Sequence, residues 1–291
     1  KNIQIYSFLE YPSVVRVEPV CYLIIFGLLT MDILFYIAAG AAVGLAIGLT
    51  GVGGGSLMTP LLIMFGFPYN VAIGTDLLYA AITKAGGMAS HAKRKTVEWR
   101  VVGFLAAGSL PTSIVTALFL NSVFTDSSEY QSILTRSLGV MLVLTAGVIL
   151  LNGRLRQSSA NSPSSAGQFI RRHNDAVVFF AGAFLGIFVT LSSVGAGAFC
   201  AAILMVLYPR LPALHIIGTD ISHAVPLTLI AGLGHYFLLG NVDFMLLGCL
   251  LIGSLPAIHL GTALASRIPG NLLQTAIAAV LLGMGIKFAA F

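Results

Sequence analysis

Two aspartates lie within apolar sequence, where an ionisable side chain is expected to have a function. Asp76 and Asp220 each end a copy of the motif IGTD, at 73–76 and 217–220. A charge at the bilayer centre costs roughly 2.5–3.5 kcal/mol on insertion scales, so intramembrane acids are functional candidates by default. Each aspartate can bind and release a proton, which is the chemistry needed to couple a process to a proton gradient. Each also follows a proline turn and a Gly-Thr pair, so capping of a helix N-terminus is an equal alternative.

Polar residues next to these aspartates extend the candidate set. Thr75 and Thr219 precede them and can donate hydrogen bonds to substrate oxygens or to their own helix backbone. Lys84 lies two turns after Asp76, on nearly the same helix face. It can neutralise that acid, attract an anion, or extend its ammonium group towards the membrane surface.

Three histidines are further candidates for a role in coupling. His223 follows Asp220 by three residues on one helix face, so this pair can relay protons near neutral pH. His91 and His235 lie at helix ends, and the basic run beside His91 equally suits an interfacial residue. The sequence has no HExxH or HxH motif, so it predicts neither a metal site nor a cofactor.

Composition decides which class of protein positions these residues. The chain of 291 residues is 57% hydrophobic and 9% charged, with a mean hydropathy of +0.97. Soluble domains carry about 25% charged residues. The sequence therefore predicts an all-α integral membrane protein with about 8–10 transmembrane helices. The expected location is the cell membrane, either a bacterial inner membrane or its equivalent. Apolar stretches lie at 33–50, 72–90, 101–120, 133–151, 176–191, 213–233, 244–264 and 270–290.

The three isolated cysteines are expected to be small buried hydrophobic residues. The net charge of +5 is expected to come from cytoplasmic loops and does not indicate nucleic-acid binding.

Two glycine-rich segments interrupt this apolar sequence, LTGVGGG at 49–55 and LSSVGAG at 191–197. Because glycine weakens a helix by about 1 kcal/mol relative to alanine, both predict helix breaks or re-entrant segments. A restarting helix presents free N–H groups and about half a positive charge, which suits a small anion. Close helix packing through glycine is the alternative. The predicted substrate site comprises Gly51, Gly53, Gly54, Gly55, Ser56, Thr75, Ser192, Ser193, Gly195, Gly197 and Thr219.

The two segments belong to an internal duplication. The glycine segment, a proline, IGTD, a histidine and GSLP recur in order, at offsets that drift from 142 to 145 residues. The predicted organisation is an interfacial or short apolar segment at 1–32, repeat one at 33–151, a cytoplasmic linker at 152–175 and repeat two at 176–291.

Basic residues indicate that the repeats are inverted. Four of them cluster between 93 and 100, whereas the equivalent loop at 238–243 has none, and the linker carries four arginines. Under the positive-inside rule, equivalent loops then lie on opposite sides of the membrane. Arg136, near an outer end, is an exception. Inverted repeats with broken helices are typical of secondary transporters that work by alternating access.

The ordered set GVGGGSLMTPLL, a proline-containing turn, AIGTD and HAKRKTVEWR resembles the sulfite exporter TauE/SafE family, also called the toluene sulfonate uptake permease family. The likeness covers nearly the whole chain beyond residue 33. Many members have Thr-Ser where this chain has Thr75-Asp76 and Thr219-Asp220. The resemblance implies transport of a small sulfur-containing anion such as sulfite, thiosulfate or an organosulfonate, and the family name implies export.

The prediction is therefore a transporter and not an enzyme, with a small anion, the lipid bilayer and protons as its partners. An anion channel shares the same repeats and broken helices. An intramembrane hydrolase would need Ser192 or Ser193 to act with His223, and no GxSxG motif surrounds either serine.

Overall fold

A computed structural model of the chain describes residues 19–50, 55–123, 127–161, 174–265 and 270–290, and all regular structure in these ranges is helical. The ten helices of the described residues are α1 (Pro19–Thr50), α2 (Gly55–Met64), α3 (Tyr69–Lys93), α4 (Trp99–Val123), α5 (Ser127–Asn161), α6 (Asn174–Ser192), α7 (Ala198–Leu207), α8 (Ala213–Phe237), α9 (Phe244–Ala265) and α10 (Gly270–Ala290).

Six of the described helices, α1, α4, α5, α6, α8 and α9, are long and apolar enough to cross a membrane. The helix α3 has 25 residues, and its polar side chains keep it outside this group. The apolar part of α10 is shorter, at Thr275–Ala290, and α7 has only 10 residues. The chain is therefore a multi-pass, all-helical membrane protein, in agreement with the composition.

Two helices extend beyond the apolar stretches that the sequence indicated. The helix α1 begins at Pro19 and has 32 residues, so residues 20–31 continue into the span and do not form a separate segment. The helix α5 continues to Asn161, ten residues into the predicted linker. Neither 20–31 nor 152–161 contains a proline, and without one the helical hydrogen bonds are not interrupted.

The helices α3 and α8 form the centre of the molecule and pack against each other. Of the α8 span, 61% of the residues are buried inside the protein, against 28% of the α1 span. Each of the two helices begins directly after a proline, Pro68 or Pro212. The short helices α2 and α7 precede them and pack against them.

Glycine allows the outer helices to pack closely in two pairs, α1 with α9 and α4 with α6. A Cβ atom added to Gly44 of α1 would lie 2.6 Å from the Cα atom of Ser254 in α9. A Cβ atom added to Gly186 of α6 would lie 2.8 Å from the Cα atom of Ser109 in α4. Small residues let helix backbones approach each other in a membrane, where van der Waals packing drives association.

Candidate functional site

Asp76 lies two turns inside α3, where α2 packs against that helix. Its Oδ2 atom accepts two hydrogen bonds from Thr59 of α2, from the backbone N–H at 3.2 Å and from the hydroxyl at 2.5 Å. The Oδ1 atom is buried and has no hydrogen-bond partner. The carboxyl group therefore lies beside the first turns of α2, where a negative charge is favourable, and keeps one oxygen available.

Asp220 has the equivalent position in α8, two turns after that helix begins at Ala213. Its side chain is buried, and its Oδ1 atom also lacks a hydrogen-bond partner. The N-cap residues of α3 and α8 are Pro68 and Pro212, and neither makes a side-chain capping bond. Neither aspartate caps the helix that carries it, because both lie in helix interiors.

Lys84 of α3 interacts electrostatically with both aspartates. Its ammonium group donates a hydrogen bond to the backbone carbonyl oxygen of Ala196, in the segment before α7. Among the described residues, the ion pairs within 4.0 Å are Arg100–Asp175 and Glu98–His215. Lys84 therefore shares its charge between two carboxyl groups without a direct ion pair to either.

A chain of polar contacts leads from Asp220 to α4. The Cys200 thiol of α7 lies close to Asp220 and interacts with it, and its Sγ atom is 3.9 Å from Nδ1 of His223. The Nε2 atom of His223 is 2.8 Å from the Ser109 hydroxyl. A thiol has one hydrogen; if it points to Asp220, Nδ1–H of His223 donates to sulfur and Nε2 accepts from Ser109. Both ring nitrogens of the buried His223 are then occupied without a positive charge.

The segment between α6 and α7 borders the same region. Ser193 and Gly195 have positive φ angles of 58° and 117°, and this backbone turns the chain between the end of α6 and the start of α7. The Ser193 hydroxyl is buried without a hydrogen-bond partner and lies near enough to Asp76 to interact with it. We call Asp76, Lys84, Ser193, Cys200, Asp220 and His223 the central cluster.

The equivalent segment of the first half lies outside the described residues. This applies to Gly51, Gly53 and Gly54, whereas Gly55 and Ser56 form the first residues of α2. Gly197, in the second half, precedes Ala198 at the start of α7.

Each IGTD motif contacts the segment before a neighbouring helix: its threonine accepts a hydrogen bond from that segment, and its glycine lets the backbone of a neighbouring segment approach closely. The Thr75 hydroxyl accepts a hydrogen bond from the backbone N–H of Asp243, before α9, at 3.1 Å. The Thr219 hydroxyl accepts one from the backbone N–H of Glu98, before α4, at 3.0 Å. A Cβ atom on the preceding residue, Gly74 or Gly218, would overlap the backbone of a neighbouring segment. Both threonines therefore join helices, in a way that the sequence analysis did not anticipate.

The remaining predicted residues have partners outside the central cluster. His235 bonds through Nε2 to the backbone oxygen of Thr190 at 2.9 Å, and its Nδ1 atom has no partner. His91 contacts Thr96 at the end of α3, 2.8 Å from Nδ1 to the hydroxyl oxygen. The Ser192 hydroxyl donates to a backbone oxygen of its own helix, that of Phe188.

Sequence reasoning missed the polar role of four residues at this site: Thr59, Ser109, Ala196 and Cys200. Ala196 acts through its backbone, and the others lie on different helices from the aspartates that they serve, so no spacing within one helix marks them. Cys200 is fully buried, as expected, but it contacts polar groups. The serine–histidine pair of a hydrolase does not form, because His223 bonds to Ser109 and not to Ser192 or Ser193. The described residues contain no group of three or more His, Cys, Asp or Glu side chains that could hold a metal ion.

The chain is similar to several membrane transporters. It is 37% identical over 220 residues to "Probable membrane transporter protein YjnA" of Bacillus subtilis (strain 168), a match covering 76% of this chain and 85% of that protein. It is 28% identical over 188 residues to "Probable membrane transporter protein" of Xylella fastidiosa (strain Temecula1), covering 64% of this chain and 67% of that protein. No solved structure gives a significant match.

The family profile described as "Sulfite exporter TauE/SafE" matches residues 36–288. This range covers all ten helices, apart from the first residues of α1 and the last two residues of α10. The chain therefore belongs to the sulfite exporter TauE/SafE family of membrane transporters and is not an enzyme.

Proposed function

We propose that the chain is a secondary transporter that moves a small sulfur-containing anion across the cytoplasmic membrane through the central cluster. The observation that carries this proposal is the position of Lys84, a lone ammonium group at the segment before α7 with buried polar atoms around it. The hydroxyl oxygen of Ser193 and the Oδ1 atoms of Asp76 and Asp220 lack hydrogen-bond partners. Such groups are costly unless a ligand or water completes them.

The proposed anion site combines three contributions. The restarting helix α7 supplies backbone N–H groups and its dipole, Lys84 supplies charge, and Ser193 supplies a hydroxyl donor. Sulfite, thiosulfate and sulfonates all present several oxygen acceptors around sulfur, which suits donors arriving from different helices. We propose the equivalent role in the first half for Gly54 and its neighbours.

Helix packing supports a repeat related by a two-fold axis, and the placement of basic residues in the loops favours the inverted form of it. If α1–α5 correspond in order to α6–α10, the pair α1–α9 corresponds to α6–α4, and both pairs form. The pairs α3–α8 and α5–α10 correspond to themselves, and both are present. Exchange of the halves thus preserves the main pairings, as expected for a two-fold axis through the α3–α8 contact.

Proton coupling and direction complete the proposal. Two buried carboxyl groups near one lysine can exchange a proton as the anion binds and leaves. The transporter is then driven by the anion and proton gradients, and export is the direction that the family name indicates.

Flux through the purified protein tests this function. The protein is reconstituted in liposomes, and uptake of sulfite, thiosulfate, sulfate and methanesulfonate is measured with and without an imposed pH gradient. Saturable uptake of one anion that the gradient drives uphill supports a coupled transporter. Saturable flux that only runs down the anion's own gradient would instead support a channel, and no flux for all four would refute the proposal.

A further inference from the structure

We infer that Asp220, and not Asp76, takes up a proton when an anion binds beside Lys84, so that the proton and the anion cross the membrane together. This inference rests on the proposed function. It follows from a difference between two positions that the sequence repeat makes equivalent.

The first step is the unequal hydrogen bonding of the two carboxyl groups. Asp76 accepts two hydrogen bonds from Thr59. At the repeat offset of 142 to 145 residues, the positions equivalent to Thr59 are 201–204, with the sequence AAIL. None of these side chains can donate a hydrogen bond. The neighbours of Asp220 are instead the Lys84 ammonium group and the Cys200 thiol.

The second step is the cost of protonation at each site. Hydrogen bonds to an ionised carboxylate are roughly twice as strong as those to a neutral group. A proton on Asp76 weakens both bonds from Thr59. A proton on Asp220 weakens the contact with a thiol, which is a weak donor, and gives up the attraction of Lys84. An anion bound beside Lys84 competes for that attraction, so the second loss is smaller when the anion is present. The proton therefore binds to Asp220 at the smaller cost.

The third step is the charge balance of the cluster. The titratable groups that interact with Asp220 are Lys84 on α3 and Cys200 on α7. Asp76 on α3 interacts with the same Lys84, and His223 on α8 contacts Cys200. Before α4, Glu98 pairs with His215 near the start of α8. On α6, Thr190 contacts α8 through its uncharged backbone oxygen.

With both aspartates ionised and Lys84 charged, the cluster carries one net negative charge, because His223 is neutral. A bound monovalent anion would add a second negative charge in a poorly screened interior, which is costly. A proton on Asp220 restores the original charge. The loaded and empty clusters then carry the same charge.

Coupling of this kind has a defined thermodynamic consequence. With one proton per monovalent anion, each pH unit of an acid-outside gradient sustains about a tenfold accumulation of the anion inside. Export then requires an outward anion gradient that exceeds the inward proton gradient.

Two measurements on purified protein test the inference with the four anions named above. The first is proton uptake in weakly buffered detergent solution, followed with a pH indicator as the anion is added. The second is the ratio of uptake into liposomes with and without an acid-outside gradient. Both are made for the wild type, Asp220→Asn and Asp76→Asn. Thr228→Val is a matched control on α8, since the Thr228 hydroxyl bonds to its own helix backbone.

We expect the wild type and Thr228→Val to take up a proton as the anion binds, with uptake accelerated by the gradient. Asp220→Asn should lose proton uptake and the gradient effect while it still exchanges the anion at a reduced rate. Asp76→Asn should lower the flux and keep the gradient ratio within about twofold of the wild type, since its carboxylate does not titrate in the cycle.

Proton uptake that persists in Asp220→Asn, or that is lost in Asp76→Asn alone, would overturn the inference and leave the proposed function intact. Anion binding by the wild type without proton uptake would do the same. If the wild type neither binds nor transports any of the four anions, the proposed function fails and the inference with it.

Discussion

The ammonium group of Lys84 and the backbone carbonyl oxygen of Ala196 are joined by a hydrogen bond that links the middle of α3 to the segment before α7. The cation is thereby held at the restart of a helix, and the equivalent position in the second half is a threonine, Thr228. The positive charge of the proposed site therefore comes from the first half of the chain only.

Lys84→Met should weaken anion binding by about tenfold or more, because a hydrogen bond to a charged group contributes roughly 1.5–3 kcal/mol. Binding is measured by titration calorimetry of the purified protein. Thr83→Val is the neighbouring control, since the Thr83 hydroxyl bonds to the backbone oxygen of Tyr79 within its own helix. Equal affinity in Lys84→Met and Thr83→Val would remove Lys84 from the site.

Thr75→Val and Thr219→Val should each destabilise the protein by roughly 1–3 kcal/mol, because a backbone N–H before α9 or α4 loses its acceptor. Thermal unfolding in detergent measures this effect. Thr262→Val, at an exposed threonine bonded to its own helix, should change stability little. If Thr75→Val and Thr219→Val unfold at the wild-type temperature but bind the anion more weakly, the two threonines contact substrate instead.

Gly195→Ala should destabilise the segment before α7 by about 1–3 kcal/mol, since its φ of +117° disfavours a side chain. The added Cβ atom would also lie 2.7 Å from the Cε atom of Met141. Gly248→Ala is the control, because a Cβ atom there meets no neighbour within 4 Å and should stabilise α9 by up to about 1 kcal/mol. The two variants are compared by their midpoints of thermal unfolding. Equal midpoints would contradict the expectation that a side chain at position 195 strains the backbone.

Gly108→Val should impair packing of α4 against α6 by about 1–3 kcal/mol or more. Its Cβ atom would lie 2.8 Å from the backbone nitrogen of Ala183. Gly103→Val, on the same helix, is the matched control, because a Cβ atom at Gly103 would have no neighbour within 4 Å. The yield of monodisperse protein and the unfolding temperature are the readouts. Equal behaviour of the two variants would show that close approach of α4 and α6 is dispensable.

Periodicity, hydropathy and the repeated motifs predicted the features that depend on local sequence. They identified the membrane class, and they singled out Asp76, Asp220 and Lys84, which the structure brings together. The glycine-rich segment at 191–197 lies at the end of α6 and before α7, which begins at Ala198. These properties follow from the cost of burying charge and of breaking a helix.

Contacts between distant segments could not be predicted in the same way. The donor to Asp76 is Thr59, 17 residues earlier and on another helix, and nothing local distinguishes it from the other threonines. The hydroxyl of Thr75 bonds across 168 residues. The length of α5 was also missed, because its polar end resembles a linker in composition while its helical hydrogen bonds continue.

The close glycine contacts of α1 with α9 have a consequence for biosynthesis. Gly40 and Gly44 face backbone atoms of Leu250 and Ser254, so the partner of α1 is synthesised more than 200 residues later. During translation, α1 must therefore remain in the bilayer before its partner α9 has been synthesised. The final register of α1 is therefore fixed after nearly the whole chain has been inserted, and truncation before α9 leaves the first helix without its partner.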